Sequence, residues 1–206
     1  MSRAGENIIF GSAMFSILRA YLEQFNPLSD AEFELLKNHF IHRHLEKGQF
    51  LQREGELAKY AAFVAKGCLR SYIIDKKGKE HVIQFAPENW WLADTISLAQ
   101  GTPTQYFMEA LEDTDLLLID PASHKIILQE APSYAASFQT GIQKHTAAKD
   151  RRIASSLSET ALEKYKGFID TYPSLAQRVP QHMLASYLGV TPETLSRVRK
   201  KMSAKK

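Results

Sequence analysis

Cysteine is nearly absent from this chain of 206 residues, and long uncharged apolar runs are absent altogether. The single cysteine, Cys68, cannot form an internal disulfide, a four-cysteine metal site or the ligand set of an iron–sulfur cluster. No run of about 18 apolar residues occurs, and the N-terminus lacks the apolar core of a secretory signal. We therefore expect a cytoplasmic protein that is neither secreted nor membrane-spanning.

The net charge is only +3, but positive charge is concentrated towards the C-terminus. Residues 174–206 hold seven Lys and Arg against one acid, a net charge of +6, which leaves −3 for residues 1–173. A basic segment that follows an acidic body indicates a polyanionic partner, with nucleic acid as the first candidate. The length allows one large domain or two small ones.

Three kinds of periodicity follow one another along the chain. Residues 14–25 and 29–40 have the apolar spacing of amphipathic helices, and Ser29 with Glu32 predicts a capping box. Short apolar and β-branched runs between glycine turns then predict an all-β region that favours a small sandwich or roll. The predicted strands are 49–53, 61–65, 68–74, 80–85, 106–111 and 116–120.

The predicted later helices are 121–130, 132–157 and 158–172, the last of them capped by Ser158.

The helix predicted for residues 132–157 carries a narrow apolar stripe. Its members recur at spacings of three and four and are Tyr134, Phe138, Ile142 and His145. The stripe could simply pack on the chain's own roll, or the helix could also pair with the same helix of a second copy. We prefer the second interpretation because the stripe is narrow and seam-like, and we expect a homodimer.

Residues 181–200, QHMLASYLGVTPETLSRVRK, meet the packing requirements of a helix-turn-helix. Such a unit needs apolar residues where the helices meet, a small residue at their close approach, and a glycine with positive φ in the turn. Ala185 is the small residue and Gly189 lies in the turn. The apolar positions are filled by Leu184, Leu188, Val190, Leu195 and Val198. Thr191 as N-cap and Pro192 at the first helical position open the second helix.

The exposed side of that second helix suits double-stranded DNA. Arg197 can donate two hydrogen bonds to guanine O6 and N7, and Glu193 can accept one from cytosine N4. The predicted DNA-binding residues are Gln181, His182, Thr191, Glu193, Thr194, Ser196, Arg197, Lys200 and Lys201. The alternative is a helical hairpin whose basic end is merely solvated.

The order of these regions resembles the cyclic-AMP receptor and fumarate–nitrate regulator (Crp/Fnr) superfamily of bacterial transcription regulators. The resemblance covers nearly the whole chain and is most specific in FLQREGELAKYAAFVAKGCLRSY at 50–72 and YPSLAQRVPQHMLASYLGVTPETLSRVRKK at 172–201. It implies an α+β fold with three parts. These are an N-terminal antiparallel β-roll of the cyclic-nucleotide-binding type (1–131), a long dimerisation helix (132–157) and a C-terminal winged-helix-type helix-turn-helix domain (158–206).

The same resemblance implies roles for individual residues and partners. Glu193 and Arg197 would read base edges, while Gln181 and His182 would touch phosphate. The usual basic residue before the glutamate is Pro192 here, so the operator would depart from the best-known one. The implied partners are a pseudo-palindromic DNA operator, a second copy of the chain and RNA polymerase.

The superfamily's cyclic-nucleotide signature is missing from the chain. That signature pairs a Gly-Glu for the ribose with an Arg-Ser/Thr-Ala run whose arginine binds the cyclic phosphate, and Thr104-Gln105-Tyr106 stands in place of the run. We therefore predict weak or no binding of cyclic AMP. A different small molecule could bind in the roll, in a pocket lined by Trp90, Trp91, Asp94, Gln105 and Tyr106. The alternative is that the two tryptophans fill the core.

No residue set indicates catalysis. His42 and His44, followed by Glu46, faintly resemble a cupin-type metal site, and strand alternation could place both histidines on one face. The glutamate follows too soon, however, and the sequence contains no Ser/His/Asp set, paired acidic motif or phosphate-binding glycine loop. We expect no enzyme, no metal and no cofactor.

The sequence thus predicts a homodimeric, sequence-specific DNA-binding transcription regulator, with a small-molecule effector in the roll as an open question. The alternative function is a sensor module that binds a cyclic nucleotide or another small ligand without acting on DNA.

Overall fold

The computed structural model describes the backbone of residues 3–203 and the side chains of residues 13–203. The chain forms two compact units. Unit 1 comprises Met1–Ser71 and Phe85–Gln143, and unit 2 comprises Tyr72–Gln84 and Lys144–Lys206. The predicted division kept residues 1–131 together, whereas residues 72–84 group with the C-terminal unit.

The strands within the described residues form two four-stranded sheets, with the orders β1-β8-β3-β6 and β2-β7-β4-β5. The pairs β1–β8, β3–β8, β3–β6 and β2–β7 are all antiparallel. This arrangement confirms the predicted α+β fold with an antiparallel β-roll. The strands are β1 (Ile41–Leu45), β2 (Phe50–Gln52), β3 (Ala61–Lys66), β4 (Leu69–Ile74), β5 (Glu80–Ala86), β6 (Trp91–Leu92), β7 (Phe107–Ala110) and β8 (Thr114–Ile119).

All six predicted strands are present, and their ends differ from the prediction by at most two residues. Two strands, β1 and β6, and the short helix α3 (Thr95–Gln100) were not predicted. β6 is only two residues long, and β1 has apolar residues only at its two ends. Segments of this kind carry too little periodicity to stand out in the sequence.

The sheet that contains β3 and β8 is buried on both faces, which explains the continuous apolar run of β8. Leu116 and Leu118 join the cluster that also holds Leu69 and Met108 of the other sheet. Leu117 and Ile119, which alternate with them, join a second cluster with residues of the surrounding helices. A strand covered on both sides reads as uninterrupted hydrophobic sequence rather than as an alternation.

The remaining helices of unit 1 are α1 (Arg3–Leu22), α2 (Asp30–His39), α4 (Pro121–Glu130) and the first half of α5 (Pro132–Ser158). The predicted capping box of α2 is confirmed. The Ser29 hydroxyl accepts from the Glu32 backbone N–H at 3.3 Å, and the Glu32 carboxylate accepts from the Ser29 backbone N–H at 3.1 Å. No described helix is both long and apolar enough to cross a bilayer.

Unit 2 contains the end of α5 followed by α6 (Ala161–Thr171), α7 (Leu175–Arg178), α8 (Gln181–Leu188) and α9 (Pro192–Ser203). The predicted N-cap of α6 is wrong. Ser158 is the last residue of α5, and its hydroxyl donates to the Ala154 carbonyl at 2.9 Å. Thr160 caps α6 instead, because Glu163 lies three residues later and completes a capping box with it.

The turn between β3 and β4 depends on Gly67. This residue has φ of +88°, and a Cβ atom there would lie 2.6 Å from the Asp113 carbonyl oxygen and 2.6 Å from the Thr114 hydroxyl. Gly48 also has positive φ, at +82°, but a Cβ there would meet nothing within 4 Å. The two glycines therefore separate the cost of backbone conformation from the cost of close approach.

We predict that Gly48→Ala lowers the free energy of unfolding by about 1–2 kcal/mol, the cost of a left-handed backbone for a residue with a Cβ. Gly67→Ala should lower it by about 2–5 kcal/mol, because roughly 1–3 kcal/mol of overpacking is added. Denaturant titration of both variants measures the difference. Equal destabilisation would show that the close approach at Gly67 does not constrain the roll.

Candidate nucleic-acid interface

The helix-turn-helix predicted for residues 181–200 is present. α8 ends at Gly189, which has φ of +66° and donates its backbone N–H to α8 carbonyl oxygens. Leu184 and Ala185 of α8 are buried, and so is Leu195 of α9. Burial of Leu195 turns the opposite side of α9 towards solvent.

Hydrogen bonds organise the first turn of α9. The Thr191 hydroxyl accepts from the Thr194 backbone N–H at 3.2 Å, which confirms the predicted N-cap. The two threonine hydroxyls lie 3.2 Å apart, and the Arg197 guanidinium donates to the Thr194 hydroxyl at 3.3 Å. The guanidinium is thus held beside the N-terminus of the helix.

Glu193 complements this arrangement. Its own backbone N–H, the Thr191 hydroxyl and the charge of Arg197 lower the pKa of the Glu193 carboxyl below its usual value. The side chain therefore stays ionised and presents only acceptor oxygens. A donor fork and an acceptor carboxylate, four residues apart on one exposed helix side, are the groups that distinguish guanine from cytosine at base edges.

All nine predicted DNA-binding residues lie on α8, α9 or the turn between them. Thr194 and Ser196 are half-buried, and the other seven are exposed. The structure also brings Gln181 of α8 to the surface groove that Ser196 and Lys200 line, together with Arg199 and Ser203. Arg199 was not among the nine, although it lies between two of them.

The sequence pattern does not indicate the contacts between α8 and β5 in unit 2. The Ser186 hydroxyl of α8 accepts from the Val82 backbone N–H at 3.0 Å and donates to the Glu80 carbonyl oxygen at 3.1 Å. Residues 80 and 82 belong to β5, which is the edge strand of its sheet. The hydroxyl therefore satisfies backbone groups that an edge strand leaves without a ladder partner.

Arg152 of α5 reinforces the same junction. Its guanidinium donates to the carbonyl oxygens of Val82 at 3.1 Å and Tyr187 at 3.0 Å, and also to that of Ile83. It also lies 4.0 Å from the centroid of the Tyr187 ring. These contacts join positions 35 to 70 residues apart in the sequence, so no local pattern could have indicated them.

The residues predicted to line an effector pocket make different contacts in the roll. Trp90 packs against the cluster that contains Leu69 and Met108, while Trp91 packs against the cluster that contains Leu117. The two tryptophan side chains therefore pack into different clusters. Gln105 is exposed, and its amide lies 3.4 Å from the Tyr106 hydroxyl.

Asp94 is the N-cap residue of α3. Its carboxylate caps α3, accepting from the backbone N–H groups of Ile96 at 3.2 Å and Ser97 at 3.0 Å. It also accepts from the Thr104 hydroxyl at 2.6 Å, and both Asp94 and Thr104 are buried. Thr104 is the first residue of the Thr104-Gln105-Tyr106 segment, and its hydroxyl group bonds to this buried carboxylate.

The predicted dimer residues of α5 divide into two groups. Tyr134 is fully buried in the core of unit 1, and Phe138 packs against the same core. Tyr134 thus has no surface to offer a second copy. Ile142 is 48% exposed, and the exposed apolar side chains continue at Ile153 (61%) and Leu157 (84%). His145 is half-buried.

The two histidines of the weak metal pattern do share one face of β1. His42 Nε2 and His44 Nδ1 lie 3.1 Å and 3.0 Å from the same Asp115 carboxylate oxygen. Within the described part of the chain, no group of three or more His, Cys, Asp and Glu residues has an arrangement that could hold a metal ion.

Comparison with known proteins gives a family match for the roll. Residues 42–131 match the model of the cyclic nucleotide-binding domain. A search of curated proteins finds no match.

Solved structures resemble nearly the whole chain. FixK2 from Bradyrhizobium japonicum has a TM-score of 0.69 and 20% identity, over 81% of this chain and 85% of its own. The c-di-GMP responsive global regulator CLP from Xanthomonas campestris has a TM-score of 0.67 and 14% identity, over 86% and 93%. The Catabolite Activator Protein of Thermus thermophilus has a TM-score of 0.52 and 20% identity, over 86% and 85%. These structures confirm the predicted fold.

Proposed function

We propose that this chain is a sequence-specific DNA-binding transcription regulator that acts as a homodimer in the cytoplasm and has no catalytic role. The observation that carries the proposal is the N-terminal turn of α9, where Thr191 and Thr194 hold Arg197 beside an ionised Glu193 on an exposed helix side. The fold shared with bacterial regulators supports the same function. RNA polymerase is the further partner that we propose.

In this mechanism α9 lies in the major groove and α8 crosses the DNA backbone. Arg197 donates to a guanine, Glu193 accepts from a cytosine, and Gln181 and His182 at the start of α8 contact phosphate. Two copies related by a two-fold axis place their α9 helices in successive major grooves, about 34–36 Å apart. The operator is therefore pseudo-palindromic.

The dimer is proposed to form along α5. Ile142, Ile153 and Leu157 fall on one side of that helix, separated by eleven and four residues. Exposed apolar side chains in such a stripe favour burial against an identical helix, because burial is favourable by roughly 25 cal/mol for each Å² of apolar surface taken from water.

Cyclic AMP is not the proposed effector. Its phosphate would need a cation near the start of α3, but the Asp94 carboxylate already accepts from the backbone N–H groups there. A second anion at that position would be repelled rather than bound. An effector of another kind would act by binding two states of the regulator unequally.

A second candidate function is a ligand sensor without DNA output. The match of residues 42–131 to the cyclic nucleotide-binding domain favours it. It differs from the first in requiring a ligand in the roll and no DNA partner.

Arg197→Ala should weaken binding to the preferred DNA site by about 1–3 kcal/mol and relax the preference at one base pair in each half-site. Lys201→Ala, its control on the same helix, should weaken binding evenly across sequences because only a phosphate interaction is removed. Binding measured on the site and on all its single-base variants distinguishes the two effects. An equal effect on every sequence for Arg197→Ala would contradict base reading.

Replacing Ile153 or Leu157 by Lys should convert the dimer to monomer in sedimentation velocity at micromolar concentration, since a charge in an apolar seam is desolvated without a partner. Ile96→Lys is the matched control, because Ile96 is 60% exposed on another helix. A dimer that persists in both α5 variants would rule out this seam.

Titration calorimetry with millimolar cyclic AMP should show no binding heat, because the site offers a carboxylate where the phosphate needs a cation. Stoichiometric binding would refute this part of the proposal and favour the sensor function.

A further inference from the structure

The hairpin formed by the end of β4 and the start of β5 belongs to the same compact unit as the helix-turn-helix. Its backbone is bound to α8 by the two hydrogen bonds of Ser186, and Arg152 bridges it to the carbonyl of Tyr187. On the hairpin side, the bonds are made by main-chain groups of Glu80, Val82 and Ile83. The hairpin therefore has a fixed position on α8.

The turn at the tip of this hairpin is basic and is closed by hydrogen bonds to Asp75. The Asp75 carboxylate accepts from the backbone N–H groups of Lys77 at 2.8 Å and Lys79 at 3.0 Å, and it lies 2.8 Å from His81 Nε2. The hydrogen bonds from His81, Lys79 and Lys77 lower the pKa of Asp75 to about 2. The Asp75 carboxylate is therefore engaged in hydrogen bonds within the hairpin, while Lys76, Lys77 and Lys79 are exposed.

The position of the tip relative to α8 indicates which molecular surface these lysines contact. Glu80, whose carbonyl oxygen bonds to Ser186, directly follows Lys79 in the chain. Ser186 lies near the C-terminal end of α8, which Gly189 and the following turn connect to α9. In a helix-turn-helix the first helix crosses the sugar-phosphate backbone of DNA, so a basic turn docked on that helix lies next to phosphates.

We propose that the 75–79 turn is a second DNA-contacting element, in which Lys76, Lys77 and Lys79 bind backbone phosphates beside the groove read by α9. Ser186 and Arg152 are positioning residues that hold the turn in place. The inference rests on the proposed DNA-binding function. Interactions of this kind between lysine and phosphate add affinity and salt dependence without sequence preference.

The test replaces Lys76, Lys77 and Lys79 together by Gln in the full chain. Binding is measured by fluorescence anisotropy, over a series of salt concentrations, to a labelled duplex recovered from a random-sequence pool with about one helical turn of flanking DNA on each side. For every lysine–phosphate interaction that the substitutions remove, the slope of log K against log salt should fall by about 0.9 and binding should weaken roughly five- to tenfold near 0.1 M salt. The preferred sequence should not change.

The matched control replaces Lys47, Lys59 and Lys125, three exposed lysines of unit 1, by Gln. It makes the same change in net charge, so an effect of overall charge alone would appear equally in both triple variants. Equal affinities and slopes for the two variants would overturn the inference.

Ser186→Ala tests the positioning. It removes both hydrogen bonds between α8 and the hairpin while leaving the lysines in place. In that background the hairpin triple substitution should weaken binding less than in the wild type, because the turn is no longer held beside the DNA. Strict additivity would contradict the positioning role.

Two further outcomes separate this inference from the proposed function. If the wild-type chain shows no salt-dependent DNA binding, the proposed function fails and the inference falls with it. If the hairpin variant binds DNA normally but no longer activates transcription with purified RNA polymerase, DNA contact by the turn is overturned and the lysines meet a protein surface instead.

Discussion

Burial of Leu195 decides which side of α9 faces solvent, and the proposed chemistry of unit 2 follows from that orientation. Leu195, Val198 and Met202 form the apolar side of α9, which packs against the other helices, and the opposite side is left for Glu193, Thr194 and Arg197. The positive φ of Gly189 allows the turn that connects α8 to α9. The Thr191 cap then fixes the first turn, so the guanidinium and carboxylate are held in place before any DNA arrives, which limits the entropy cost of binding.

Residues 42–131 match the cyclic nucleotide-binding domain, and we propose that this roll does not bind the phosphate of cyclic AMP. The start of α3 is closed by Asp94 and Thr104, which satisfy each other and the helix N–H groups. The two tryptophans that the sequence places together pack into separate cores. A fold does not by itself fix a ligand, so function has to be argued from the residues at the site.

Local signals in the sequence were sufficient for most features whose contacts are local, although the wrong residue was predicted to cap α6. The capping box of α2, the cap of α9 and the glycine turn all join residues within five positions of one another, and each was predicted correctly. The bonds of Arg152 and Ser186 to β5 were invisible because they join residues 69 to 106 positions apart. The stripe on α5 was recognised, but burial of Tyr134 by the roll depends on tertiary packing that periodicity does not report.

The central claim, sequence-specific binding by a symmetric dimer, is tested most directly by selecting bound duplexes from a random-sequence DNA pool with the full-length protein. The account predicts an enriched two-fold symmetric motif whose half-sites are about one helical turn apart, bound with a steep dependence on salt. Selection repeated with a metabolite extract covers the case in which an effector is required. Absence of any enriched motif under both conditions would contradict the account.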